Sequence, residues 1–581
     1  MSVGGVDCAN TLGYITRVMP SSVTVESATT YMITECQREF PVGKYLVVED
    51  NNARYLARIS ESRIEDIYSV AKTPVLSLEQ ELSMDIRYVP RLIALELIAE
   101  CRGGSCGAPA TPPSIHSIVR EPRPGEVSEM LALPPSGVGL GTLALPTGLE
   151  IPGNPVYITL DALRHHMLVV GTTGSGKTTL LKNLALELCK VPTATVTAID
   201  AVGHYHHLAM NGIRTRVLIP VTQGVLRRAV RGVKDGRGAV KALARYLARS
   251  YVNDVFRLMG IDVGRFRVRL TGRKARGKNA YALKSVKITF SHGDVNAEVE
   301  LIPWSLRSRS LLMSINELTG LLTEQARMFY GRVIGEVLRN ARVRTFEEIY
   351  NYLTSQSGSI DRGRALLNYE VIAGRLGIHE STMENIVRAL LAVVETRLFD
   401  VRASVGGDEV LILEPDYSNI FRPGYVVLDL RTTSTLRQRI MVYRVLDMLY
   451  RYMGREHRRS RDRVAVVLVD EAHLFFPQTR VDEERRLLER HITRITRLGR
   501  SRGIAVVFAT HMPDDLNDAI IQLTNTKVIL RSDEKVLERL GIPARERRFL
   551  TTAPTGLAYV RSFAYRYPIY VAFKPQAYHV G

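Results

Sequence analysis

The 581-residue chain has no uncharged apolar run long enough to cross a membrane; the nearest, Leu92–Ala99, is broken by Glu96. A transmembrane helix needs about 20 such residues, so none is expected. The opening Met-Ser-Val-Gly-Gly-Val-Asp lacks the basic and apolar stretches of a secretory signal, which points to the cytoplasm, with a peripheral place at a membrane left open. Cysteine is scarce: five residues make no disulfide framework, and free thiols are the default expectation. Cys101 and Cys106 flank a Gly-Gly-Ser turn and could pair, whereas no second Cys or His pair lies near them at metal-ligand spacing. No short internal repeat is visible. Acidic residues are also short: 59 Asp and Glu stand against 78 Lys and Arg, a net charge of +19. A surplus of that size favours a polyanionic partner, nucleic acid or membrane surface, or else reflects an arginine-rich surface in general.

What is present begins with residues 167 to 180, Met-Leu-Val-Val-Gly-Thr-Thr-Gly-Ser-Gly-Lys-Thr-Thr-Leu. A short apolar strand leads into a glycine loop, and Leu180, Leu181, Leu184 and Leu188 continue at helical spacing. This is G-x-x-x-x-G-K-[ST] in strand–loop–helix context. Glycines let successive N–H groups curl around a phosphate, and the helix N-terminus adds partial positive charge. The expected nucleotide-binding residues are Gly171, Thr172, Thr173, Gly174, Ser175, Gly176, Lys177, Thr178 and Thr179. Lys177 would reach the β- and γ-phosphates of ATP, and the Thr178 hydroxyl would sit on Mg²⁺.

Around this loop the chain reads as an α/β protein. Short strands at Leu12–Val18, Ser22–Val25, Tyr45–Val48, Tyr55–Ile59 and Arg91–Cys101 suggest a small N-terminal β-barrel over 1–101, read as a docking domain. Residues 102–137, rich in Gly, Pro and Ser near their start, read as a linker. Residues 138–220 and 421–581 alternate strands with helices, the signature of a RecA-like P-loop core with a mostly parallel sheet, ending in C-terminal strands. The intervening 221–420 reads as an insertion. It opens with a basic helical stretch from Arg227 to Arg249, continues with antiparallel strands near 265–303, and is helical throughout 311–400. A basic hairpin tip at Gly272–Lys278 is as consistent with a solvated loop as with phosphate contact.

The apolar run Val464–Val469 ends in Asp470-Glu471-Ala472-His473. Ligands gather at the carboxyl ends of parallel strands. Asp470 is therefore expected to hold Mg²⁺ together with Thr178, and Glu471 to polarise the attacking water as general base. Arg486, Arg490, Arg494 and Arg497 share one helix face, where Glu483, Glu484 and Glu489 could equally pair with them on a solvated surface. Arg497 and Arg500 precede the next core strand, a position from which an arginine can reach a neighbouring subunit's nucleotide. The strand Ile504–Ala509 runs into Thr510-His511, placing His511 where a polar side chain could sense the γ-phosphate.

Taken in order, these pieces resemble the archaeal HerA DNA translocases of the HerA/FtsK superfamily. The matching stretches are Leu163–Thr179, Pro423–Leu430, Val469–His473, Leu498–Gly503 and Asn525–Arg531. The resemblance implies a homo-oligomer, a hexameric ring around double-stranded DNA, with ATP bound between subunits. It further implies Arg500 as the trans-acting arginine and the barrel as a platform for a nuclease partner in DNA end processing. Two positions depart from the family pattern: Gly203-His204-Tyr205 where an acid usually follows the glycine, and His511 where glutamine is common. Two other roles stay open: a HerA-like motor for DNA transfer or import docked on membrane proteins, and a nucleotide-switched DNA-binding scaffold with little hydrolysis.

Overall fold

The structure is a computed structural model that describes residues 8, 10–36, 38–64, 91–261, 263–274, 279–293, 295–361, 364–431, 434–479 and 482–578. Two compact units divide the chain, one of residues 1–162, 171–176 and 526–574, the other of 163–170, 177–525 and 575–581.

In the first unit, antiparallel strands Ala28–Thr34, Gly13–Ile15, Ile118–Arg120, Tyr45–Glu49, Arg54–Ile64 and Arg91–Arg102 form a closed barrel, sealed by pairing of the last with the first. Alternation over Ile93–Ala99 buries Ile93, Leu95, Leu97 and Ala99, the first three in one core cluster with Leu46, Val48, Tyr55 and Ile59. Two elements differ from the sequence expectation. Ala28–Thr34 has no apolar alternation because two of its buried positions are threonines, Thr30 and Thr34. Ile118–Arg120, inside the expected linker, is instead a barrel strand pinned between Gly13–Ile15 and Tyr45–Glu49; three residues carry too little pattern to announce it. The expectation of free thiols is corrected: Cys8 bonds Cys36 and Cys101 bonds Cys106, leaving Cys189 as the free cysteine. Cys101 and Cys106 face each other across a hairpin register pair, so geometry rather than cysteine number permits that link. The same unit holds an antiparallel sheet of Glu150–Ile158, Val138–Ala144, Ile569–Ala572, Leu557–Ser562 and Thr526–Ile529. Within 421–581, read from the sequence as mostly parallel, Thr526–Ile529 pairs antiparallel with Leu557–Ser562.

The second unit is built on seven parallel strands in the order Met167–Val170, Ile504–Thr510, Val464–Val469, Ala194–Asp200, Gly424–Asp429, Thr215–Pro220 and Val295–Trp304. The first four are buried along their lengths, and Met167–Val170 and Val464–Val469 accordingly read as continuous apolar runs. Val295–Trp304 pairs parallel with Thr215–Pro220 and antiparallel with Ala280–His292, so the expected separate antiparallel insertion is a continuation of the core sheet. The basic stretch forms helices Gln223–Ala229 and Gly236–Val255. Residues 311–400 are largely helical and include a hairpin, Gln356–Asp361 with Arg364–Leu367. The tip residues 275–278 lie outside the described residues, as do the side chains of 272–274. No described helix is long and apolar enough to cross a membrane.

One buried cation ties the chain return in this sheet. Arg216 is 4% exposed, and its guanidinium donates to the carbonyls of Asn419 (3.0 Å), Ile420 (2.7 Å), Arg422 (2.8 Å) and Pro423 (3.1 Å). Burial, reinforced by Arg422, lowers its pKa to about 10. These bonds fix the turn that starts Gly424–Asp429. Arg216→Met, which leaves the acceptors without donors, is expected to cost about 3 kcal/mol in urea unfolding. Arg216→Lys should recover only part of this, because an ammonium lacks the planar fork; full recovery would show that charge alone matters.

Candidate nucleotide-hydrolysis site

The phosphate loop is held within the first unit. Gly174 and Gly176 have φ of 76° and 108°, left-handed values that favour glycine. A Cβ on Gly171 would meet Ser175 Oγ at 2.5 Å. Ser175 Oγ donates to Thr172 O at 2.7 Å, and Thr172 N–H donates to Arg531 O at 2.8 Å. From the C-terminal strands, Thr555 Oγ1 donates to Gly174 O at 2.9 Å and Gly556 N–H to Ser175 O at 3.2 Å. Thr173 and Gly174 form the exposed tip.

In the second unit the helix Lys177–Cys189 begins at the next residue. Thr178 Oγ1 donates to Asp470 Oδ2 at 3.1 Å, and Thr179 is half-buried beside it in sequence. Lys177 is buried; desolvation lowers its pKa, against the attraction of Glu471 and Asp470. Asp470 ends Val464–Val469 and is also buried, so desolvation, aided by the Glu471 charge, raises its pKa. A buried carboxylate paired with a hydroxyl is an oxygen donor set suited to Mg²⁺.

Tyr205 is the partner that sequence reasoning missed. Its hydroxyl donates to Asp470 Oδ2 at 3.0 Å. It arrives there because Asp200, ending its strand, accepts from the backbone N–H groups of Val202, Gly203, His204 and Tyr205 at 2.6 to 3.3 Å. The signal was Asp200 followed by Gly203-His204-Tyr205: a carboxylate able to cap the turn that follows it. His204 joins this clamp through its backbone N–H.

Glu471 has φ of 50°, an uncommon value for a non-glycine residue. Its Oε2 lies 2.7 Å from His511 Nδ1 and 3.6 Å from His473 Nδ1, and His473 Nδ1 lies 3.1 Å from Thr510 Oγ1. His511 is thus joined to the expected base. Arg500 is exposed at the end of helix Asp482–Arg500, and none of the hydrogen bonds or ion pairs of Asp470 and Glu471 involves it. The other arginines of this helix divide: Arg486 pairs with Glu324 at 3.0 Å, while Arg494 pairs with Asp447 at 2.6 Å and lies over the Tyr450 ring.

Residues 140–449 match the family model described as the central domain of helicase HerA, more than half of the chain. The chain belongs to the HerA family. The HerA-like C-terminal model follows at residues 447–529. A 66-residue stretch is 38% identical to the DNA double-strand break repair helicase HerA of Pyrococcus furiosus, covering 11% of this chain and 11% of that relative's length. Among solved structures, VirB4 of Thermoanaerobacter pseudethanolicus aligns at 14% identity and a TM-score of 0.43, over 76% of this chain and 97% of that one. The plasmid coupling protein TrwB with ADP and Mg²⁺ aligns at 13% identity and a TM-score of 0.40, over 75% and 94%. In this HerA-family chain, the expected P-loop core and N-terminal barrel are both present.

Proposed function

We propose that the chain is an ATP-driven translocase of double-stranded DNA that works as a homohexamer. The observation that carries this is Thr178 hydrogen-bonded to Asp470, with Glu471 next in the chain and the glycine loop one residue upstream of Lys177. Residues 171–179 bind the triphosphate of ATP. Thr178 and Asp470 hold Mg²⁺, which neutralises charge on the phosphate oxygens when bound. Tyr205 keeps the Asp470 carboxylate in position. Glu471 takes the proton of the attacking water, with His511 orienting it. Arg500, exposed at its helix end, acts on the nucleotide of a neighbouring subunit. The barrel is a docking domain, and its partner is a nuclease in DNA end processing; recovery with membrane DNA-transfer proteins and no nuclease would favour the import role instead.

The DNA reading rests on the net charge of +19. Duplex DNA should stimulate ATP turnover several-fold at about 50 mM salt, and the concentration needed should rise at least about ten-fold by about 200 mM, as phosphate contacts weaken. Turnover that stays flat on adding DNA at low salt would sink the translocase. A particle mass other than six copies would remove the hexamer.

A further inference from the structure

Glu471, His473 and His511 bring three metal-ligating side chains to the ends of two adjacent parallel strands. One donor atom from each lies within 4.8 Å of the others. The Glu471 oxygen stands 2.7 Å from His511 Nδ1 and 3.6 Å from His473 Nδ1. Ligands on a tetrahedral zinc ion, each about 2.0–2.1 Å from the metal, stand about 3.3 Å apart. The cluster straddles that spacing, and all three side chains are partly exposed, which leaves an approach from solvent. Two imidazoles with one carboxylate favour borderline transition ions over Mg²⁺, which prefers an all-oxygen set. The donors are therefore chemically distinct from the Thr178–Asp470 pair.

We infer that Glu471, His473 and His511 form a second cation site, selective for a divalent transition ion of the zinc class, whose filling switches hydrolysis off. An ion there takes the lone pair by which Glu471 would accept a proton, and it replaces the His511–Glu471 contact. Binding follows from the donor geometry alone, whereas the switching rests on the role of Glu471 proposed above.

The test uses the full chain without an affinity tag, stripped of metal and free of nucleotide, titrated with Co²⁺ alone. One equivalent should give the visible absorption of nitrogen-ligated cobalt, displaced by Zn²⁺. His473→Gln and His511→Gln, each checked for folding by circular dichroism, should weaken binding by about ten-fold or more. No such absorption, or unchanged affinity in both variants, overturns the site. In excess Mg²⁺, Zn²⁺ should suppress DNA-stimulated ATPase and a chelator should restore it. Cobalt binding with ATPase indifferent to Zn²⁺ overturns the switch. A parent without any ATPase overturns the proposed function, while the cobalt spectrum still decides the site.

Discussion

Glu471→Gln is expected to lower ATP turnover by roughly 10²- to 10⁴-fold while leaving ATP affinity within about three-fold of the parent. The substitution is isosteric and keeps a polar group beside His511 Nδ1, which lies 2.7 Å from the Glu471 carboxylate. It leaves Thr178, Asp470 and the glycine loop untouched. What it removes is the carboxylate proposed to take a proton from water, and about 3–5 kcal/mol of barrier is the corresponding cost. Single-turnover hydrolysis beside equilibrium binding of a labelled nucleotide separates the two effects. A variant that turns over within a few-fold of the parent would show that Glu471 is not the base. A parent already as slow as the variant would favour the nucleotide-switched scaffold.

Acid should destabilise the second unit through its buried histidines His166, His206 and His207, all three lowered chiefly by desolvation. His166 accepts from Val506 N–H through Nδ1 at 3.1 Å, so its Nε2 carries the proton toward Thr496 O at 2.8 Å. His207 sits fully buried with Nε2 2.9 Å from Val255 O. Burial lowers His166 and His207 to about 4 from 6.5; the hydrogen bonds to Thr496 and Val255 oppose this only partly. Between these values the unfolded chain binds more protons than the folded one, so stability is whole above pH 6.5 and is lost as pH falls toward 4. Each of these two accounts for about 3 kcal/mol of that loss. Urea midpoints measured from pH 7 to 4.5 should fall steeply, and His166→Asn, which tolerates the φ of 64° at this position, should flatten the slope. A variant that keeps the parental slope would remove His166 from the account.

Much of the candidate site is legible because its parts are contiguous. A phosphate loop is one turn of chain, and residues 171–179 must carry their glycines, lysine and hydroxyl side by side for the backbone to curl at all. Val464–Val469 is a strand buried on both faces, so it spells itself as an unbroken apolar run and marks Asp470 and Glu471 at its end. Partners at a distance are another matter. Tyr205 meets Asp470 across 265 residues, and the residues between carry no local trace of that meeting. His511 was visible as the residue after a core strand, but its bond to Glu471 follows from Val464–Val469 and Ile504–Thr510 lying side by side and in register. Sheet order, unlike strand character, has no local pattern.

By itself the sequence determined the glycine loop, the acid pair after a buried strand, the α/β alternation and the basic surplus, each written in neighbouring residues or in a sum over all of them. The tertiary structure alone decided that Cys8 meets Cys36, that Ile118–Arg120 completes the barrel, and that Thr526–Ile529 pairs antiparallel. It also decided that Tyr205 and His511 flank the two acids. Such contacts form when burial of whole strands and helices outweighs the entropy of closing long loops, and that balance belongs to the packed chain rather than to any one stretch of it.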